Sequence, residues 1–157
     1  VHASQPKYYH DIIGGNFRID ALQAAVLSIK LDYLDDWSKK RQENAKVYNK
    51  LFSDKNLDKK ISQPIIREGY RHIFNQYVIR VPKRDELRNF LNEKQIGCEI
   101  YYPVPLHLQE CFSYLGKTHG DFPESEKAAQ EGLALPIYPE LTDEMKDTVV
   151  ETILSFF

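Results

Sequence analysis

Few of the 157 residues are of the kinds that staple a chain or charge it strongly. There are two cysteines, Cys98 and Cys111. Their spacing makes neither a CxxC pair nor a zinc framework. They read as reduced, partly buried thiols of a cytoplasmic protein. No charge of one sign dominates: Lys+Arg number 21 and Asp+Glu 23, a net charge of -2. That excludes the basic excess with which nucleic-acid binders neutralise phosphates, and a polybasic membrane-surface module. No apolar run approaches the roughly 18 residues that span a bilayer. No secretory signal pattern opens the chain, and no internal repeat or low-complexity tract interrupts it. The only methionine is Met145 and position 1 is Val, so the chain reads as a processed or partial one. A 42% hydrophobic and 28% charged composition is that of a globular protein with one domain's worth of core.

Glycine and proline are absent from residue 16 to residue 63. Across that stretch Leu22, Val26, Ile29, Tyr33 and Trp37 recur at helical spacing. Ala45, Tyr48, Leu51 and Phe52 continue the stripe. With Asp20 as N-cap, this predicts one long helix over residues 20–53, bent near Trp37. At about 1.5 Å per residue it would run near 50 Å. That exceeds the width of a compact body of this size and implies packing on something outside the chain.

The remainder alternates in type. Residues 70–81 show strand alternation, stopped by Pro82; residues 84–95 read as a helix stopped by Gly97; residues 98–102 read as a second strand. Pro103 and Pro105 force an extended segment through His107. A short helix over 108–115, a helix over 124–131, a strand over 133–135 and a last helix capped by Thr142 complete an α+β pattern. The domain plan is a loop over 1–19, a connecting helix over 20–55 and a small α+β domain over 56–157.

Several residues carry two readings each. Gly14-Gly15-Asn16 before a helix is a structural turn or an anion-binding one. Arg18 reaches the same anion or pairs with Asp20. Lys7, Tyr8, Tyr9 and His10 form a polar-aromatic loop that closes over a ligand or merely ends a chain. His107, stiffened by the prolines and close in sequence to Tyr101 and Tyr102, borders a ligand pocket or is satisfied by a backbone carbonyl. His107 and Cys111 are two potential ligands, too few for a metal site. No nucleophile–histidine set and no carboxylate pair has readable spacing.

Gly14, Asn16, Arg18, Asp20, Gln23, Ala24 and Ala25, followed by Arg41, Asn44, Ala45 and Tyr48, resemble the G-x-N-x-R-x-D-x-x-Q-A-A and R-x-x-N-A-x-x-Y motifs of the DegT/DnrJ/StrS-type sugar aminotransferases. HIFNQYVIRV, the R-D-E-L of Arg84 to Leu87, YYPVPLHLQ and GDFPESEKAAQEGLALPIYPEL extend the resemblance, in family order, over essentially the whole chain. It implies the C-terminal small domain and connecting helix of a fold-type I enzyme, with a small, mostly antiparallel sheet between flanking helices. It implies pyridoxal phosphate as cofactor, a nucleotide-linked keto sugar as substrate, glutamate as amino donor, and a homodimer. By the same resemblance Asn16 and Arg18 would stand near the cofactor phosphate, Asn16 reaching the neighbouring subunit. Lys7, Tyr8, Tyr9, Tyr101, Tyr102 and His107 would border the substrate. The cofactor lysine is expected upstream, and Lys7 is too close to Asn16 to be that residue, so this chain alone is expected to be inactive. The competing expectation is a non-catalytic dimerisation or sugar-binding module of the same fold.

Overall fold

Helix α1, Ala21–Leu31, starts where Asp20 accepts the Gln23 amide at 2.7 Å, the side-chain cap its position predicts. The computed structural model describes residues 7–16 and 18–157. The single long helix is not what forms. The chain breaks at Asp32-Tyr33, and α2, Leu34–Asp54, begins afresh. Tyr33 N–H donates to Lys30 O at 3.1 Å, a tightened final turn, and Trp37 N–H then returns to Tyr33 O at 3.0 Å. The cause lies in the acids. Asp32 is a poor helix-interior residue, and Asp35 and Asp36 in the first turn of α2 favour a helix N-terminus there. The break therefore precedes Trp37, whose ring stacks on Tyr33 at 5.8 Å between centroids.

Strands β1, Tyr77–Arg80, and β2, Gly132–Leu135, pair antiparallel, with Tyr77 opposite Leu135 and Arg80 opposite Gly132. Single bridges flank them, Ser62 to Arg80 and Glu99 to Ala134. The strand expected over 70–81 is thus four residues long. Phe74 takes a φ of 50° and donates its N–H to His72 Nδ1 at 2.9 Å, which turns the chain out of the sheet. The strand expected over 98–102 reduces to the Glu99 bridge, just before the prolines. Helix α3, Arg84–Glu93, ends on Gln95 at a φ of 60°, ahead of the glycine expected to stop it. The helix expected over 108–115 is two tight 3-10 turns, Leu106–Leu108 and Glu110–Leu115. Helix α4, Pro123–Glu131, runs directly into β2. A Cβ at Gly132 would sit 2.8 Å from Ala128 O, so the junction needs glycine. Thr142 caps α5, Asp143–Phe156, by accepting Met145 N–H.

The core lies between α2, α3, α5 and the sheet. Tyr48, Phe52, Tyr77, Leu87, Leu133 and Ile153 have no exposed surface. One row of α2 binds the chain beyond β2 through polar groups. Arg41 donates to Ile137 O, Asn44 Nδ2 to Tyr138 O at 2.8 Å and Tyr48 Oη to Pro136 O at 3.1 Å. Lys146, almost wholly buried on α5, donates to Asn44 Oδ1 at 2.7 Å and pairs with Asp143 at 2.8 Å. The R-x-x-N-A-x-x-Y spacing is therefore a carbonyl clamp: three donors at i, i+3 and i+7 satisfy three consecutive backbone acceptors.

Candidate functional site

A cavity of about 370 Å³ opens between the loop carrying Tyr8, the segment from Tyr101 to Leu106 and α4. Tyr8, Tyr101 and Tyr102 make its aromatic side. Their rings meet edge-on, Tyr8 to Tyr102 at 5.5 Å and Tyr8 to Tyr101 at 6.3 Å. Val104, Pro105 and Leu106 make a second wall, and Ser125, Ala128 and Ala129 on α4 face them. Rigid aromatic and proline surfaces with a few hydroxyls suit a flat, polar-edged ligand.

The Gln109 side chain ties down the loop carrying Tyr8 at two points. Gln109, only 6% exposed, donates to Tyr8 O at 2.8 Å and accepts His10 N–H at 2.9 Å. Cys111 N–H adds a bond to His10 O at 3.0 Å. These three contacts hold Tyr8 at a φ of 73°, a conformation rare for a non-glycine residue. Sequence reasoning missed Gln109. A glutamine within a turn carries no motif of its own, and only the folded chain brings it across from residue 8.

Lys7 leaves the cavity and pairs with Glu99 at 2.8 Å, its ammonium 4.6 Å above the Tyr8 ring. The Glu99 hydrogen bond raises the Lys7 pKa, and that same bond holds Glu99 below the usual carboxylate range. Tyr9 is half exposed and does not line the cavity. His107 differs most from expectation. It is buried away from Tyr101 and Tyr102, with Nε2 3.0 Å from Glu126 Oε1 and its ring 4.9 Å from that of Phe122. Its partner is a carboxylate, so the alternative of a backbone carbonyl does not hold either.

Asn16 and Arg18 are exposed on the approach to α1. Arg18 forms no ion pair with Asp20, which caps α1 instead. Among the described residues no group of three or more His, Cys, Asp or Glu is arranged to hold a metal ion, and no helix is long and apolar enough to cross a membrane. The described residues do not complete a pyridoxal phosphate site. Lys7 is exposed, ion-paired and held protonated, the reverse of the lowered pKa a Schiff-base lysine needs. The buried Lys146 is saturated by Asn44, Leu141 O and Asp143. Asn16 and Arg18 could add an amide and a guanidinium to the edge of a phosphate held elsewhere.

Fold and site define a small α+β domain with a cavity walled by aromatic and proline residues. The model of the DegT/DnrJ/EryC1/StrS aminotransferase family matches residues 1–154, and the chain belongs to that family. It is 47% identical over its full length to the "Pleiotropic regulatory protein" of Geobacillus stearothermophilus, covering 42% of that protein. It is 38% identical over 97% of its length to the dTDP-3-amino-3,6-dideoxy-alpha-D-galactopyranose transaminase of Aneurinibacillus thermoaerophilus, covering 40% of it. The crystal structure of S. venezuelae DesV in complex with a ketimine intermediate superposes at a TM-score of 0.82 and 31% identity, over 99% of this chain and 41% of that one. The chain thus spans about two fifths of the length of these relatives.

Proposed function

We propose that this chain is the C-terminal small domain, with its connecting helices, of a cytoplasmic, homodimeric, fold-type I aminotransferase that uses pyridoxal phosphate and moves an amino group from glutamate to a nucleotide-linked keto sugar. The domain plan is the stretch before α1, connecting helices over 20–55, the second of which packs into the core of the small domain, and the rest of that domain over 56–157. The observation that carries the reading is the cavity walled by Tyr8, Tyr101, Tyr102 and Pro105 in a chain whose relatives include dTDP- and UDP-sugar aminotransferases. When bound, pyridoxal phosphate supplies the electron sink for amino transfer. The chain's own residues bind and orient. The tyrosine faces and Pro105 take the apolar face of the sugar, and the Tyr101 and Tyr102 hydroxyls its ring hydroxyls. Asn16 and Arg18 would help hold the cofactor phosphate, Asn16 that of the neighbouring subunit. The uncovered apolar face of α1 is where the rest of the dimer would pack.

The test is amino transfer by the complete polypeptide with pyridoxal phosphate, read as 2-oxoglutarate formed from glutamate on addition of a dTDP- or UDP-linked 3-keto sugar. The expected result is formation that depends on the keto sugar, with none from this chain alone. A complete, cofactor-loaded protein that turns over neither sugar would remove the enzymatic reading and leave a sugar-binding or dimerisation module.

A further inference from the structure

Glu126 gathers more donors than any other carboxylate among the described residues, and the proposed reaction uses none of them. Gly120 N–H reaches its two oxygens at 2.9 and 3.1 Å, and Phe122 N–H donates at 3.4 Å. His107 Nε2 stands at 3.0 Å and His119 Nδ1 at 3.5 Å. The His107 and Glu126 side chains are only 8% and 13% exposed. Burial alone would raise the Glu126 pKa, but the Gly120 and Phe122 amides and the two histidines together hold it below the usual value.

The location gives this cluster its meaning. His107 follows Leu106, the last residue of the proline wall of the cavity. Glu126 lies on α4 between Ser125 and Ala128, which line the opposite wall. Among the described residues, the His107–Glu126 bond is the one hydrogen bond joining residues 103–107 to α4. Pro103 and Pro105 stiffen the wall internally, and the turn bonds Leu108 N–H to Pro105 O and Gln109 N–H to Leu106 O close it on itself. Nothing in those features sets its distance from α4.

We propose that His107 and Glu126 form a positioning clamp that fixes the width of the cavity. Neither side chain lines the cavity, so the pair acts through Pro105 and Leu106 on one wall and Ala128 and Ala129 on the other. Glu126 extends the clamp to the turn at Gly120 and Phe122. The effect on ligand rests on reading the cavity as the nucleotide-sugar site; the mechanical role does not.

The experiment compares His107→Leu with His107→Gln in the complete polypeptide. Leucine removes the donor, whereas the glutamine amide carries an N–H to about the reach of Nε2. The first readout is amide hydrogen exchange. In His107→Leu the Leu108 and Gln109 amides should exchange about tenfold faster, the scale of one lost charge-assisted hydrogen bond. His107→Gln should stay within about twofold of wild type, and α5 amides should be unchanged in both. Unchanged exchange in His107→Leu, or a glutamine variant as loose as the leucine one, would overturn the clamp. Should His107→Leu fail to fold, His107→Asn replaces it, since its shorter amide cannot reach Glu126. The second readout is the affinity for dTDP-glucose, expected to fall about fivefold in His107→Leu and to recover in His107→Gln. A looser wall with unchanged affinity would overturn control of cavity width. A wild type that binds no dTDP-glucose would overturn the reading of the cavity, leaving the exchange result to decide the clamp.

Discussion

Helices α1 and α2 are separated by two residues and treat their apolar side chains in opposite ways. α1, ALQAAVLSIKL, carries one charge and buries nothing: Leu22 is 78% exposed and Ile29 68%. α2 is rich in Lys and Asp, yet buries Ala45, Tyr48 and Phe52 completely. Apolar content therefore does not decide burial. α2 places residues 45, 48 and 52 on one face, and α5 meets that face with Val149, Val150 and Ile153. The apolar residues of α1 meet no such surface among the described residues. Contiguous exposed apolar surface is the kind of feature that marks interaction sites.

That contrast can be broken most directly at its buried end. Phe52→Ala in α2 is expected to cost about 3–5 kcal/mol of stability, measured by urea unfolding. A loss no larger than that of a surface substitution would remove α2 from the core. Next comes the polar row of the same helix. Asn44→Ala leaves Tyr138 O without its donor and Lys146 short of an acceptor, for about 1–3 kcal/mol. Pairing it with Lys146→Met should recover part of that loss, because the stranded ammonium is then gone. A loss in the double variant equal to the sum of the two single losses would show that the two residues do not act together.

The core should also announce itself at alkaline pH. Burial raises the pKa of Tyr48 and Tyr77 above the ordinary tyrosine value. A raised folded-state pKa adds stability that is fully present below about pH 10 and is lost as pH rises beyond it, since only the unfolded chain then ionises. Urea midpoints should thus fall above that pH and fall less in Tyr48→Phe. A midpoint flat through the tyrosine range would contradict this burial. At the exposed end, Asn16→Ala in the complete polypeptide is expected to weaken cofactor retention by about 1–2 kcal/mol while leaving circular dichroism unchanged. A cofactor titration at equal dimer concentration reads it, and equal affinity would return Asn16 to a purely structural role. The smallest effect is expected on α1. Leu22→Ala should change the stability of this chain by no more than about 0.5 kcal/mol, and a larger loss would reveal a partner surface within it.

What could be read along the chain was what depends on near neighbours. Asp20 and Thr142 cap their helices because a cap is a contact three residues long. The start of α3 after Pro82 and the passage from α4 to β2 at Gly132 likewise follow from local preference. The break at Asp32-Tyr33 was also local, but the unbroken apolar stripe hid it, since periodicity counts apolar residues and not the acids between them. The strand over 70–81 looked long because alternation does not reveal how many partner residues exist. β2 offers four.

The site was legible as a set of residue types and not as an arrangement. Tyr8, Tyr101 and Tyr102 were nominated and do converge on the cavity. His107, nominated beside them, turns to Glu126 instead, because a residue's place in a stiff segment does not say which way its side chain points. Gln109 was invisible for the complementary reason: its function is to join residues about a hundred positions away. The sequence by itself determined the family, the helix caps, the proline-stiffened wall and the apolar face of α1, all carried by short-range chemistry. Only the tertiary structure decided that Arg41, Asn44 and Tyr48 clamp three carbonyls, that Gln109 anchors Tyr8, and that Glu126 ties the two walls of the cavity together. Those contacts join residues far apart in the chain, and their partners exist only once the core has closed.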